Sequence, residues 1–101
     1  MASTVKFNSN NVHYQGNPEV DQMFLQATLN YFNHKLQARG HIFFNEVLDS
    51  LGFKHTRNGA LEGWIMKDGQ GFVNMEITAN EDFSFDLVFE TDGEIYDKLA
   101  N

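Results

Sequence analysis

Glu46 and Asp49 stand three residues apart in the run His41 to Leu51, and His13, His34, His41 and His55 are the side chains that titrate near neutrality by default. Two acids at that spacing on a helix face one side, as hydrolysis by general acid and base or capture of a divalent ion requires. A histidine beside them would complete a small metal-dependent hydrolase. The same spacing is common on solvated helices, however, and no two of the histidines lie at a metal-pair interval. Asp86 and Glu90 share a strand face but stand too far apart for a close carboxylate pair. The stretch Asp68-Gly69-Gln70-Gly71 joins two strand patterns and opens no helix, so it lacks the amide cluster that cradles phosphate. None of the 4 serines sits in a nucleophile elbow. Trp64 is the one candidate ligand platform, and a lone tryptophan at the start of a strand is more often core. These residues assign no catalytic, cofactor or metal site, and the chain reads away from an enzyme.

The totals narrow the field further. A length of 101 residues fits one domain, and 10 Phe supply much of the burial a core of that size needs. The absence of cysteine excludes disulfides, thiolate metal sites and thiol nucleophiles, and suits a reducing compartment. Apolar runs such as Ile42 to Phe44 are too short to span a bilayer, and Met1 to Gly16 lacks the basic and apolar blocks of a signal peptide. With 14 acidic against 7 basic residues the net charge is −7, which opposes adhesion to nucleic acid or anionic lipid. The expectation is a protein partner or self-association, with neither nucleic acid nor membrane. Mimicry of nucleic acid would need acidic side chains at phosphate-like intervals on one face.

The elements that would position a site follow from period. Residues 1–16 are polar, with weak alternation at Val5 and Phe7, and read as an arm or an edge strand ahead of a single domain at 17–101. Asn17-Pro18 followed by Glu19 and Asp21 is a helix start: asparagine caps, proline takes the first turn, and carboxylates meet the positive end of the dipole. Val20, Met23, Phe24, Ala27, Tyr31, Phe32 and Leu36 then recur at steps of three and four, until Arg39 and Gly40 end the helix. His41 to Leu51 predicts a second, shorter helix, its first three residues open between helix and lead-in, ending at Gly52 and folding back on the first.

Beyond Gly63 the period falls to two. Trp64 and Met66, then Val73, Met75 and Ile77, then Phe83, Phe85 and Leu87 predict three strands that share one buried face. A turn at Gly69-Gln70 would oppose Trp64 to Met75 and Met66 to Val73, and a loop at Ala79 to Glu81 would oppose Ile77 to Phe83 and Met75 to Phe85. Glu94 to Leu99 predicts a final short helix, with a strand as the alternative. The fold class is therefore α+β, an N-terminal helix pair packed on one face of a C-terminal antiparallel sheet of three or more strands. On the other face those registers gather Ile65, Phe72 and Val88 as an apolar centre rimmed by Asn74, Glu76, Asp86 and Glu90, the mark of a partner-binding surface unless the amino-terminal arm covers it.

The run Gly40 to Gly52 (GHIFFNEVLDSLG), with Thr56, Gly59, Gly63 and Trp64, and Asp92-Gly93 before Ile95-Tyr96-Asp97, resembles a family of uncharacterised small proteins encoded by phages and prophages of Gram-positive bacteria. The likeness extends from Gly40 to the end. It brings no established activity and no functional residues. It implies a phage-related origin, and with it a location in the bacterial cytoplasm or on the virion. The expected role is a protein-binding or assembly module, either a structural accessory or an acidic inhibitor of a host protein. The alternative is the metal-dependent hydrolase built on Glu46, Asp49 and a histidine.

Overall fold

A computed structural model describes residues 2–99 of the chain. In chain order the elements are β1 (Ala2–Phe7), α1 (Pro18–Arg39), β2 (His41–Phe43), α2 (Phe44–Leu51), a 3-10 turn (Asn58–Ala60), β3 (Gly63–Ile65), β4 (Asn74–Ala79), β5 (Phe85–Glu90) and α3 (Tyr96–Leu99). They build two antiparallel sheets, one of three strands in the order β1-β5-β4 and one of two, β2 with β3.

This corrects the predicted arrangement. The protein is α+β with an antiparallel three-stranded sheet, but a strand precedes both helices, and the helices lie between strands rather than forming an N-terminal pair on a C-terminal sheet. The reason is local at His41 to Phe43. Those residues are extended and pair with β3, Ile42 opposite Trp64, so a strand separates α1 from α2 where a continuous helical hairpin was expected. β-branched and aromatic side chains suit a pleated surface, and here that preference prevails over the helical spacing of the phenylalanines.

The predicted caps explain the bounds of α1. The Asn17 side chain accepts the N–H groups of Glu19 (3.1 Å) and Val20 (3.3 Å), Pro18 opens the helix, and Gly40 closes it in the left-handed region at φ 93°. Asp21 is fully buried and does more than meet the dipole. Its carboxylate accepts the N–H groups of Gln15 (2.9 Å) and Gly16 (3.1 Å), which fastens the loop after β1 to the helix.

In the larger sheet the predicted faces of Met75, Ile77, Phe85 and Leu87 hold, while that of Phe83 and the predicted registers do not. Ile77 opposes Leu87 instead of Phe83, and Met75 opposes Phe89 instead of Phe85. Both displacements are even, so every paired side chain keeps its face, and Phe85, Leu87 and Phe89 are wholly buried. Phe83 falls out of the ladder into the loop after β4 and is 55% exposed. The hairpin expected around Gly69-Gln70 is also replaced. Asp68 and Gly69 both take positive φ, at 54° and 76°, inside a tight turn that pairs Lys67 with Gln70, and β3 never reaches β4. A mirror-image turn of this kind favours Asp-Gly at its centre, whereas the type II′ expectation placed glycine first.

Two aromatic clusters fill the interior. Phe44, Trp64 and Phe89 interlock where the two sheets meet, with Phe44 5.0 Å from Phe89 and 6.0 Å from Trp64 between ring centres. Phe7 gathers Tyr14, Phe24 and Phe53 beneath β1. Phe7, Phe44, Trp64 and Phe89 are buried, and Tyr14, Phe24 and Phe53 pack half-buried against the core; a fully buried ring of this kind contributes about 1.5–3 kcal/mol of transfer free energy.

Candidate functional site

The five residues expected to form a contact surface fall into two adjoining groups. Glu76 on β4 and Val88 on β5 are directly opposed, and Thr4 on β1 opposes Val88 from the other side. One pair along, Asp86 lies between Thr78 and Lys6, and the Lys6 ammonium stands 3.8 Å from its carboxylate. This outer face carries a half-buried Val88 among polar neighbours. Ile65 and Phe72 belong to the second group. They line an open cleft of about 760 Å³ between β3 and the paired ends of β4 and β5, where Asn74 opposes Glu90. The two groups are continuous, because the Asn74 and Glu90 pair is followed on the same face by Glu76 and Val88.

Phe72 does not oppose Lys67 or Val88 as the predicted registers had it, since it lies ahead of β4. Its place is set by α1. Asn33 accepts the N–H of Val73 at 2.6 Å, and Gln37 donates to the carbonyl of Gly71 at 3.2 Å, so the backbone is fastened on both sides of Phe72. Val73 is drawn into the core, and the alternation of the chain turns Phe72 outward, 65% exposed. The far wall is equally fixed. Trp64 is buried with its indole N–H donating to the carbonyl of Glu90 at 2.8 Å, and the Asp92 carboxylate accepts the N–H of Ile65 at 3.0 Å.

Period-two reasoning put Asn74 and Glu90 at the margin of this patch but did not bring Asp92 to Ile65. These last two meet because the chain leaving β5 crosses to β3, where Asp92 N–H donates to Gly63 O (2.8 Å) and Gly63 N–H to Gly93 O (3.1 Å). The available signal was the conjunction of Gly63 with Asp92-Gly93, two places where the backbone runs without bulk.

The acids and histidines weighed for hydrolysis are spread over separate contacts. Glu46 accepts the Phe43 N–H at 2.8 Å, which is the glutamate half of a capping box for α2. It also accepts a hydrogen bond from the Arg39 guanidinium and lies 3.5 Å from the Lys35 ammonium. Partial burial pushes its carboxyl up, but the Arg39 and Phe43 hydrogen bonds and the charges of Arg39 and Lys35 outweigh that and hold it below the ordinary glutamate value. Asp49 instead faces His55 at 3.3 Å, and both side chains are exposed. His41 packs on Phe43, and His13 on Phe24. Among the described residues no group of three or more His, Cys, Asp or Glu side chains is placed to hold a metal ion.

A family of unknown function (DUF6353) matches over residues 3–99. The chain belongs to that family. The DUF6353 match includes β1 and α1 as well as the glycine-punctuated run from Gly40, so kinship reaches well ahead of the segment that carried the earlier resemblance. No curated protein and no solved structure matches this DUF6353 chain. Among its described residues no helix is long and apolar enough to cross a membrane.

Proposed function

We propose that the protein is a binding or assembly module that works by protein contact, through a surface running from Ile65 and Phe72 across Val88 with Glu76 and Asp86 on its rim. The observation that carries this reading is the exposure of Phe72. A large aromatic side chain stands in solvent on a backbone that Asn33 and Gln37 hold in place, at the mouth of a cleft whose walls are fixed by hydrogen bonds. A preorganised aromatic anchor loses little conformational entropy on binding, and aromatic residues ringed by polar groups are typical of interface centres. The rim adds Asp68, Glu90 and Asp92 to Glu76 and Asp86, which favours a partner that brings an apolar side chain among basic ones.

The resemblance of the Gly40 to Trp64 run to phage and prophage proteins supports a phage-related setting, in the bacterial cytoplasm or on the virion. There the module serves as a structural accessory or as an acidic inhibitor of a host protein. The test is the double variant Phe72→Ser and Val88→Ser, compared with the parent by analytical ultracentrifugation and by cross-linked pull-down from a bacterial host. The expected result is loss of a defined dimer or complex with thermal unfolding nearly unchanged. Retention of every association by the variant sinks the proposal, and collapse of its fold would place the two side chains in the core.

A further inference from the structure

A second concavity, separate from the surface proposed above, lies beside β1. That strand pairs with β5 alone, so alternate residues direct their N–H and C=O groups away from the sheet. Among the described residues no backbone hydrogen bond engages Ser3, Thr4 or Val5 on that side. All three line a groove of about 440 Å³. Successive side chains of a strand point to opposite faces, so a depression bordered by three consecutive residues follows the strand's edge and not one of its faces. It has the position of a missing strand.

The opposite wall and the rim say what would fit there. Phe44 and Leu48 of α2, with Phe53, make the wall apolar. Lys54 and Arg57 stand at the groove, and neither is within ion-pairing distance of a described carboxylate. In a chain of net charge −7 the stretch Lys54-His55-Thr56-Arg57 holds two of the 7 lysines and arginines within four positions. The one carboxylate in the groove, Glu62, is nearly buried and accepts the Thr91 hydroxyl at 3.3 Å. An acidic protein thus keeps unpaired cations beside an open strand edge and an apolar wall.

We propose that this groove takes up an extended acidic peptide segment of a partner protein by strand addition to β1. The segment's backbone pairs with the free edge, an apolar side chain lies against Phe44, Leu48 and Phe53, and its carboxylates meet Lys54 and Arg57 as charge-assisted hydrogen bonds. Main-chain pairing gives affinity, and the cations select against basic segments.

The test uses an acetylated, amidated, fluorescein-labelled octapeptide of alternating glutamate and valine, titrated by anisotropy at about 50 mM salt, where charge contacts are weakly screened. Saturable binding is expected, with protection of β1 amides from hydrogen exchange. The double variant Lys54→Glu and Arg57→Glu should weaken it at least about tenfold while melting like the parent, since both side chains are surface charges. A lysine-for-glutamate peptide should bind at least as poorly, and a peptide N-methylated at alternate nitrogens should fail because it cannot donate to the strand edge. The Phe72→Ser and Val88→Ser variant should bind normally, which separates this groove from the other surface. No saturation by about 1 mM, a weak limit for a specific contact, overturns the proposal. So does equal binding of the N-methylated peptide, or displacement by decanoate with the same dependence on Lys54 and Arg57, which would make the groove a site for small amphipathic anions. Pairing of β1 with a second copy of the chain, seen as a dimer that the octapeptide does not dissociate, overturns it as well.

Discussion

In β5 every inward position is filled by a large apolar side chain, Phe85, Leu87 and Phe89, whereas in the β2 and β3 ladder the position that decides the pairing, Gly63, has no side chain at all. A Cβ on Gly63 would lie 2.0 Å from the carbonyl oxygen of Ile42 and 2.9 Å from the Cα of Phe43, both backbone atoms. The larger sheet is thus specified by what its residues bury, and the smaller by how closely two backbones approach with a third segment, 91–95, hydrogen-bonded alongside. Burial pattern fixes which face of a strand is wet. Close approach fixes which strand it meets.

The strongest way to break that contrast is Gly63→Ala. Backbone atoms cannot swing aside as a side chain would, so the expected loss is about 4 kcal/mol or more, a large part of the stability of so small a domain. Urea unfolding measures it, and amide exchange should show β2 and β3 failing first. A cost below about 1 kcal/mol would show that close approach does not set the ladder. Phe85→Ala attacks the other mode of specification. Removing a wholly buried ring should cost about 3–4 kcal/mol through lost transfer energy and residual cavity, with the loss of protection centred on β1, β4 and β5.

The same contrast separates what could be read in the sequence from what could not. The bounds of α1 were legible because Asn17, Pro18, Arg39 and Gly40 act within a turn of their own positions. The faces of β4 and β5 were legible because alternation survives any even displacement, and for that reason it could not distinguish Phe83 from Leu87 as the partner of Ile77. Pairing of Ile42 with Trp64 was not legible, since it joins residues far apart in sequence whose local signals pointed to a helix and to a hairpin with β4. Of the proposed contact surface, membership in the apolar centre could be inferred for Phe72, but its exposure depends on Asn33 and Gln37, two polar residues on α1 with no periodic signature. The groove beside β1 was invisible as well, because it joins Ser3, Thr4 and Val5 to residues about forty to sixty positions away in sequence.

A milder probe of the smaller ladder is Glu46→Gln, which keeps the shape of the side chain while weakening its hold on Phe43, Arg39 and Lys35. The capping contact and the partly exposed charge pairs together justify about 1 kcal/mol at neutral pH, not more. Because the folded state holds this carboxyl below its ordinary value, its stabilisation is complete above the ordinary glutamate range and disappears as the pH falls through the lower, folded value. The difference in stability between parent and variant should therefore shrink on acidification and vanish once Glu46 is protonated in both states. A difference that widens towards acid would mean that Glu46 is not held in its charged form.

The smallest expected effect sharpens the comparison from the side of the larger sheet. The shift in register leaves Phe83 in the loop after β4 at φ 71°, a left-handed conformation that a bulky side chain adopts at a cost, and with its ring exposed. What the loop uses at this position is backbone: the Phe83 carbonyl accepts the Tyr14 hydroxyl at 3.2 Å, and its N–H donates to Asn80 O at 3.1 Å. Asparagine tolerates the left-handed region and keeps both contacts, so Phe83→Asn should stabilise the protein by about 0.5 kcal/mol, or roughly 2–4 °C in melting temperature. If the variant melts lower instead, the Phe83 ring packs where the structure shows it in solvent, and the register of β4 against β5 would have to move back towards the pairing that places Phe83 opposite Ile77.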